Sequence, residues 1–294
     1  MKKSKSYKLA VLAFILPALL VFTVMVFVPI LQTVYHSFTQ WDGLTASAFA
    51  GLANYRRLIT DDLFYTSLRN GIIFAAVLVA FQIGIGTFLA LTISGKRVVG
   101  RRILRSSYFL PVVLSVTVVC QLWSAIYNSD HGLINALFEA VGLQYRQNWL
   151  SSPALAIVCV AFVNAWQNMG YHFVLLLSGI KAIPVEYYEA AQLDGASPVQ
   201  THLRVTIPLL VETYKICFIM AITGGLNAFA NMFIMTSGGP GTATYTLTYM
   251  MYRSAFRTGQ FGYGCAAAVV LVLECLLATV LVNRLGVHRD TDAA

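Results

Sequence analysis

Long apolar stretches separated by shorter polar segments make up most of the chain. Six of them reach the length of about 20 residues that a helix needs to cross about 30 Å of hydrocarbon. They run approximately over 9–31, 71–94, 106–127, 153–180, 208–235 and 262–285. Lipid offers backbone N–H and C=O groups no partner, so runs of this kind are read as membrane-spanning helices. The pattern predicts an all-α membrane protein of six transmembrane helices spanning 9–285, with a terminal segment 1–8, a loop 181–207 between the fourth and fifth spans, and a tail 286–294. Between the third and fourth spans, Leu133, Ile134, Leu137, Phe138 and Val141 fall at helical spacing and predict a short amphipathic helix over 131–142. The first stretch follows Lys2, Lys3, Lys5 and Lys8, as a signal peptide would. Its apolar run is longer than the about 7–15 residues of a signal h-region, and it is read as an uncleaved helix.

Composition fits a membrane class and excludes others. Apolar residues are 58% of the 294 and charged residues 11%, against about 45–50% and about 25% in soluble domains. A disordered chain is excluded by the same figures. The net charge of +8 then reads as topology. With the N-terminus inside, 14 of the 20 Lys and Arg fall in inner segments and 6 in outer ones. Cytoplasmic loops carry such an excess, so both termini are placed on the cytoplasmic side of the membrane. Nothing in the charge pattern asks for nucleic acid. Cys120, Cys159, Cys217, Cys265 and Cys275 all lie in apolar stretches without CxxC spacing and read as small buried hydrophobes. The sequence holds no HExxH, no GxSxG and no metal-ligand spacing among its histidines, which argues against an intramembrane enzyme and against a metal site. It also lacks GxxxxGK[ST]. Gly95–Lys96 comes nearest, with Ala90 at the first glycine position and Arg97 after the lysine. The chain binds no nucleotide by that route, so its energy comes from another chain or from an ion gradient.

The loop KAIPVEYYEAAQLDGASPVQTHLRVTIP has an internal design. Pro184 opens a helix, Glu186 and Glu189 suit its positive end, Gly195 after Asp194 stops it, and Ser197–Pro198 starts another. Ala190–Ala191 beside Gly195 allows close approach by another backbone, so the loop reads as a docking surface rather than a simple tie between spans. Two polar faces lie within the spans. Asn164, Gln167, Asn168 and Tyr171 share one face of the fourth stretch; Thr223, Asn227 and Asn231 form a row in the fifth, beside Gly224–Gly225. Such residues either fasten membrane helices together or line a polar pathway. Glu274, the only carboxylate at mid-span depth, is compatible with proton transfer, with binding a substrate cation, or with a neutral hydrogen bond between helices.

Glu189-Ala190-Ala191, three residues, Gly195, nine residues, then Val205, Thr206, Ile207 and Pro208 resembles the EAA loop of ABC importer permeases, EAA-x3-G-x9-I-x-L-P. The departures are Val205 for Ile and Ile207 for Leu. Trp41–Asp42, Asn54–Tyr55, Leu110–Pro111 and Ser237-Gly238-Gly239-Pro240 extend the likeness to the carbohydrate branch, the maltose and glycerol-3-phosphate type of permease. The resemblance implies the type I importer fold (MetI-like), and a cytoplasmic coupling helix whose contact with the motor includes Glu189, Ala190, Ala191, Asp194, Gly195 and Pro208. It implies a second permease subunit, usually a different chain in a heterodimer, two cytoplasmic ATPase subunits that hold ATP and Mg, and an extracytoplasmic sugar-binding protein; this chain itself binds no cofactor. In the maltose-type relatives the matching faces line the sugar site, which carries that role to Asn164, Gln167, Asn168 and Tyr171, and to Ala221, Gly224, Gly225 and Ala228, next to Asn227. The implied activity is import of a sugar or oligosaccharide by alternating access. The alternative is a proton-coupled secondary carrier that uses Glu274.

Overall fold

The computed structural model describes residues 5–95 and 99–286. Of the expected segments, 1–4 and 287–294 of the two ends, and Lys96 and Arg97 of the inner loop after the second span, lie outside the described residues. The described chain is almost wholly helical, with one two-stranded antiparallel ladder. It divides into two compact units, 1–61 with 251–270, and 62–250 with 271–294.

The first unit begins with helix α1 (5–37), which includes a turn of wider i→i+5 bonding at Thr23–Phe27. Its apolar side chains from Val11 to Leu31 are exposed, as suits a surface made for lipid or for another subunit. The chain then forms β1 (Thr39–Gln40) and β2 (Ala48–Phe49), paired Thr39↔Phe49 and Gln40↔Ala48, followed by α2 (Ala53–Leu58). Buried Asn54 fixes this corner by donating from Nδ2 to the carbonyls of Ser37 and Thr39, 2.9 Å each.

The second unit is built around one helix. In chain order it holds α3 (Asp62–Ser94), α4 (Arg101–Val113), α5 (Val116–Ile126), α6 (Leu133–Ala140), α7 (Ala156–Ala182), α8 (Val185–Leu193), α9 (Pro198–Leu209), α10 (Val211–Leu226) and α11 (Ala230–Met235). Helix α12 (247–257) and α13 (Phe261–Gly286) follow, and both run from one unit into the other. Helix α7 packs against α3, α4, α10 and α11. One core joins Phe74 and Leu78 of α3 to Val160 and Ala161 of α7 and Met232 of α11; another joins Ile83 and Ala90 to Phe173, Leu176 and Cys217. Between helices in lipid the hydrophobic effect gives little, so van der Waals fit and interhelical hydrogen bonds must hold the bundle. Asn70 of α3 supplies one such link, donating to the carbonyls of Ala243 (3.0 Å) and Tyr245 (2.9 Å) and pinning the loop that carries Ser237–Pro240. The Gly239–Pro240 peptide in that loop is cis.

Among the described residues three helices are long and apolar enough to cross a membrane, Val11–Ser37, Asp62–Ser94 and Phe261–Arg284, and counting each of two bent pairs as one span brings the number up to five. Helix α7 has 27 residues, but Asn164, Gln167, Asn168 and His172 dilute the hydropathy of its middle. The bent pairs depart from the straight spans expected at 106–127 and 208–235. Helices α4 and α5 meet at 97°, because Leu114 and Ser115 are extended (ψ 145° and 135°). Helices α9 and α10 meet at 72° at Leu210, and the helix stops again after Leu226 before α11 resumes at Ala230. The amphipathic helix expected over 131–142 is α6, covering 133–140.

Candidate functional site

Helix α8 starts from Pro184, whose backbone is extended (φ −56°, ψ 141°). It ends in a two-bond lock: Ala196 N–H donates to the Ala191 carbonyl (3.0 Å) and Gly195 N–H to that of Gln192 (3.1 Å). That is the Schellman arrangement, and it places Gly195 at the left-handed position after the helix, with φ +74°. The EAA-x3-G spacing therefore encodes a helix of fixed length with a glycine stop. Two residues later Ser197 caps α9 reciprocally: Ser197 N–H donates to Gln200 Oε1 (2.8 Å) and Gln200 N–H to Ser197 Oγ (3.3 Å).

No residue of α8 is buried. Glu189, Ala190, Asp194 and Gly195 are exposed, and Ala191 and Pro208 are half-buried. Glu189 has no hydrogen-bond or ion-pair partner among the described residues. Large apolar side chains stand out beside it, with Val185 and Tyr187 each 52% exposed and Leu193 89%. The helix is nevertheless held in place. Thr206, fully buried in α9, donates from Oγ1 to Tyr188 OH (3.4 Å) and lies 3.2 Å from His202 Nδ1. Tyr188, His202 and Thr206 were not legible as anchors, because their contacts span a turn; the helix start at Ser197–Pro198 was, though not the part Gln200 plays in it.

The polar face of α7 divides in the structure. Asn164 donates to Asn231 Oδ1 of α11 (2.8 Å), Asn168 donates to both Asn164 oxygens (3.0 and 3.2 Å), and Asn231 reaches Cys120 Sγ of α5 (3.5 Å). Tyr171 is 45% exposed, edge-on to Phe109, and its hydroxyl has no partner among the described residues. Gln167 turns elsewhere. It is buried and donates to the Leu114 carbonyl (2.9 Å), satisfying an acceptor left by the α4–α5 bend.

The second face divides similarly. A side chain on Gly224 would meet nothing within 4 Å, whereas a Cβ on Gly225 would sit 2.7 Å from Ala75 Cα. Gly225 is thus where α10 and α3 touch. Ala221 and Ala228 are buried; Ala228 belongs to the core with Phe74, and Ala221 to the core with Phe173. Asn227 is exposed and donates to the Thr223 carbonyl (2.8 Å) and toward Cys275 Sγ of α13 (3.4 Å). Asn164, Asn168, Tyr171, Gly224 and Asn227 keep some open surface, and Gln167, Gly225 and Ala228 do not. Glu274, half-buried beside Cys275, makes no hydrogen bond among the described residues. His172 is engaged elsewhere, 3.2 Å from the Cys217 carbonyl through Nε2.

In the turn between the two short strands, Asp42 Oδ1 accepts from the N–H groups of Leu44 (2.9 Å) and Thr45 (2.8 Å) and from Thr45 Oγ1 (2.9 Å). Bonds from the Thr45 and Leu44 amides hold its carboxyl below the ordinary value of 3.8. No group of three or more His, Cys, Asp or Glu able to hold a metal occurs among the described residues.

Comparison with known proteins gives a consistent picture. The model of the family described as binding-protein-dependent transport system inner membrane component matches residues 3–287. A probable ABC transporter permease protein of Pyrococcus horikoshii is 36% identical over 272 residues, covering 92% of this chain and 93% of the relative. A multiple sugar-binding transport system permease protein of Streptococcus mutans is 33% identical over 275 residues, with 93% of each covered. Among solved structures, a chain in the crystal structure of a bacterial ABC transporter involved in the import of the acidic polysaccharide alginate has the same fold, with a TM-score of 0.82 at 20% identity over 97% of each chain.

Proposed function

The chain belongs to the family of binding-protein-dependent transport system inner membrane components, and on that premise we propose that it is the membrane-spanning permease of an ATP-binding-cassette importer for sugars or oligosaccharides. It is not itself an enzyme. It is a multi-pass inner-membrane protein and part of a complex with an extracytoplasmic binding protein. The sugar class is supported by the name carried by the Streptococcus mutans relative and by the amide and aromatic side chains left open on α7 and at Asn227 after α10. The proton-carrier alternative gives way to family membership.

The observation that carries the coupling role is α8: a helix with no buried residue, apolar side chains outward, an extended proline before it and a two-bond lock at its C-terminal end. In this reading the termini and α8 face the cytoplasm, and α8 rests in a groove of a separate ATPase dimer that holds ATP and Mg. A second permease, a different chain, completes the path. Closure of the ATPases carries the coupling helices with it and opens the permease pair outward to receive sugar. Asn164, Asn168, Tyr171, Gly224 and Asn227 then face the moving sugar, with donors and acceptors suited to hydroxyls.

The test uses proteoliposomes holding the permease pair, the ATPase and the binding protein. Glu189→Lys puts a charge of the wrong sign on the contact. Gly195→Val forces a β-branched residue into a left-handed turn at a cost of about 1–2 kcal/mol. Both variants are expected to lose co-purifying ATPase and uptake together. Full uptake by either, or uptake driven by a proton gradient without ATP, would refute the assignment.

A further inference from the structure

A cavity far along the sequence from the α7 polar face is walled by the β1–β2 corner, α2 and the start of α13. It measures about 500 Å³, and Gln40, Trp41, Asp42, Arg57, Gln260 and Tyr263 contribute to its lining. Every one of these residues belongs to the first unit.

The walls are fixed by bonds that leave the lining side chains in place. Trp41 is stacked on His36, with ring centroids 3.9 Å apart and planes 16° from parallel, and its indole N–H donates to the Thr45 carbonyl (3.0 Å). The Trp41 carbonyl in turn accepts from Gly262 N–H at the start of α13 (3.1 Å). The Asp42 turn closes one side, and Asn54 holds the floor. Tyr263 donates from its hydroxyl to Asp61 Oδ2 (2.6 Å), and the Arg57 guanidinium lies 4.4 Å from the centre of its ring.

Against these walls stand polar groups without partners. Arg57 has the Tyr263 ring beneath it but no carboxylate partner among the described residues. The side-chain amides of Gln40 and Gln260 make no hydrogen bond there, and the second oxygen of Asp42 accepts none from another residue. Donors and acceptors thus converge on one preorganised space between aromatic walls. Small-molecule sites combine a volume of about 300–1,000 Å³ with a few convergent polar groups. A single protein side chain inserted from outside would leave most of this volume empty. An anion alone would use Arg57 but not the acceptors, and a cation alone the reverse.

We propose that this cavity is a saccharide-binding subsite for a neutral, hydroxyl-rich ring, separate from the pathway within the membrane. Under the orientation of the proposed function, on which this inference rests, 38–61 and 251–261 are extracytoplasmic. The subsite then lies on the face where sugar arrives. Arg57 and the two amides donate to ring hydroxyls, Asp42 and the amide oxygens accept from them, and the Trp41 and Tyr263 edges border the ring.

The experiment is saturation-transfer difference NMR on the intact permease–ATPase complex in nanodiscs, without binding protein, using glucose, maltose and N,N′-diacetylchitobiose as probes. At least one probe is expected to give a signal from the wild type. The signal is expected to fall about tenfold in Arg57→Ala, in line with loss of a charge-assisted hydrogen bond, and to fall in Gln40→Ala/Gln260→Ala, which removes only exposed or half-buried amides. Binding-protein-stimulated ATPase activity, measured in parallel, is expected to stay at the wild-type level in both variants and so reports an intact fold. Absence of signal from all three probes, or a signal unchanged in both variants, overturns the subsite. So does a loss of binding-protein docking in the variants without any sugar signal, which would make the cavity a protein contact. A wild-type complex whose ATPase ignores its binding protein would count against the importer reading, while the NMR comparison still decides the subsite.

Discussion

Gly224 and Gly225 are adjacent and chemically identical, yet the structure gives them opposite tolerances. Gly225→Ala would place a methyl 2.7 Å from Ala75 Cα, 3.1 Å from its Cβ and 3.2 Å from its N. Carbon atoms reach their optimum at about 3.5–4.0 Å. Helices α3 and α10 must therefore part by about 1 Å, or α10 must rotate. Either movement disturbs Phe74 and Leu226, both buried in this region. Overpacking of this kind costs about 1–3 kcal/mol, or about five- to 150-fold in an unfolding equilibrium. Gly224→Ala meets nothing within 4 Å and removes a flexible residue from a helix interior, so it is expected to be neutral or to stabilise by up to about 1 kcal/mol. The assay is equilibrium unfolding of the purified permease pair in nanodiscs, with sugar uptake measured alongside. Gly225→Ala should lower stability and uptake together. Gly224→Leu should lower uptake with stability preserved, because its side chain enters open space that the proposed function assigns to the sugar path. If Gly225→Ala unfolds at the same denaturant midpoint as Gly224→Ala, the close approach of α3 and α10 is wrong.

Two further outcomes follow from the same geometry. Asn231→Leu removes the acceptor for Asn164 and the link to Cys120; it should cost about 0.6–2 kcal/mol in the same unfolding assay, the range for interhelical hydrogen bonds in membranes. The Asp42 turn should be insensitive to pH across the neutral range. Its folded carboxyl titrates below the ordinary value of 3.8, so the turn's stabilisation is fully present above that value and is lost as pH falls through the depressed one. Amide shifts of Leu44 and Thr45 should therefore stay flat from pH 8 to about 5 and move only in stronger acid; a transition near neutrality would contradict the hydrogen bonds assigned to Asp42.

The parts of this molecule that were legible from sequence are those encoded locally. A short helix bounded by Pro184 and Gly195 can be read because a helix stop is a backbone event within six residues, and the Ala196–Ala191 and Gly195–Gln192 bonds realise it. Apolar runs likewise announce themselves. Their breaks do not: Leu114 and Leu210, where the chain turns by 97° and 72°, are as apolar as their neighbours. The role of Gln167 was hidden for the same reason. Helical periodicity places it on the Asn164 face, but the bend at Leu114 leaves a buried carbonyl that needs a donor, and Gln167 is the side chain that reaches it. The difference between Gly224 and Gly225 is purely tertiary, set by where α3 passes.

The placement of α8 in the chain has a mechanical consequence. On its N-terminal side, Ile183 and Pro184 alone separate it from α7, the helix that carries Asn164, Asn168 and Tyr171. On its C-terminal side, the Gly195 lock and the Ser197 cap join it to α9, and Leu210 joins α9 to α10, which carries Gly224 and leads to Asn227. The Thr206–Tyr188 bond closes the corner, so that α8 and α9 shift together. In the cycle proposed above, a displacement of α8 is passed to α7 and, through α9, to α10. At the opposite end of those helices the Asn164–Asn231 bond ties α7 to α11. Under that proposal α7 moves against a partner held at Asn231, and Gly224, with no atom within 4 Å of where a Cβ would stand, leaves room beside α10. Gly225, one residue on, has no such room, because α10 packs there directly against Ala75 of α3.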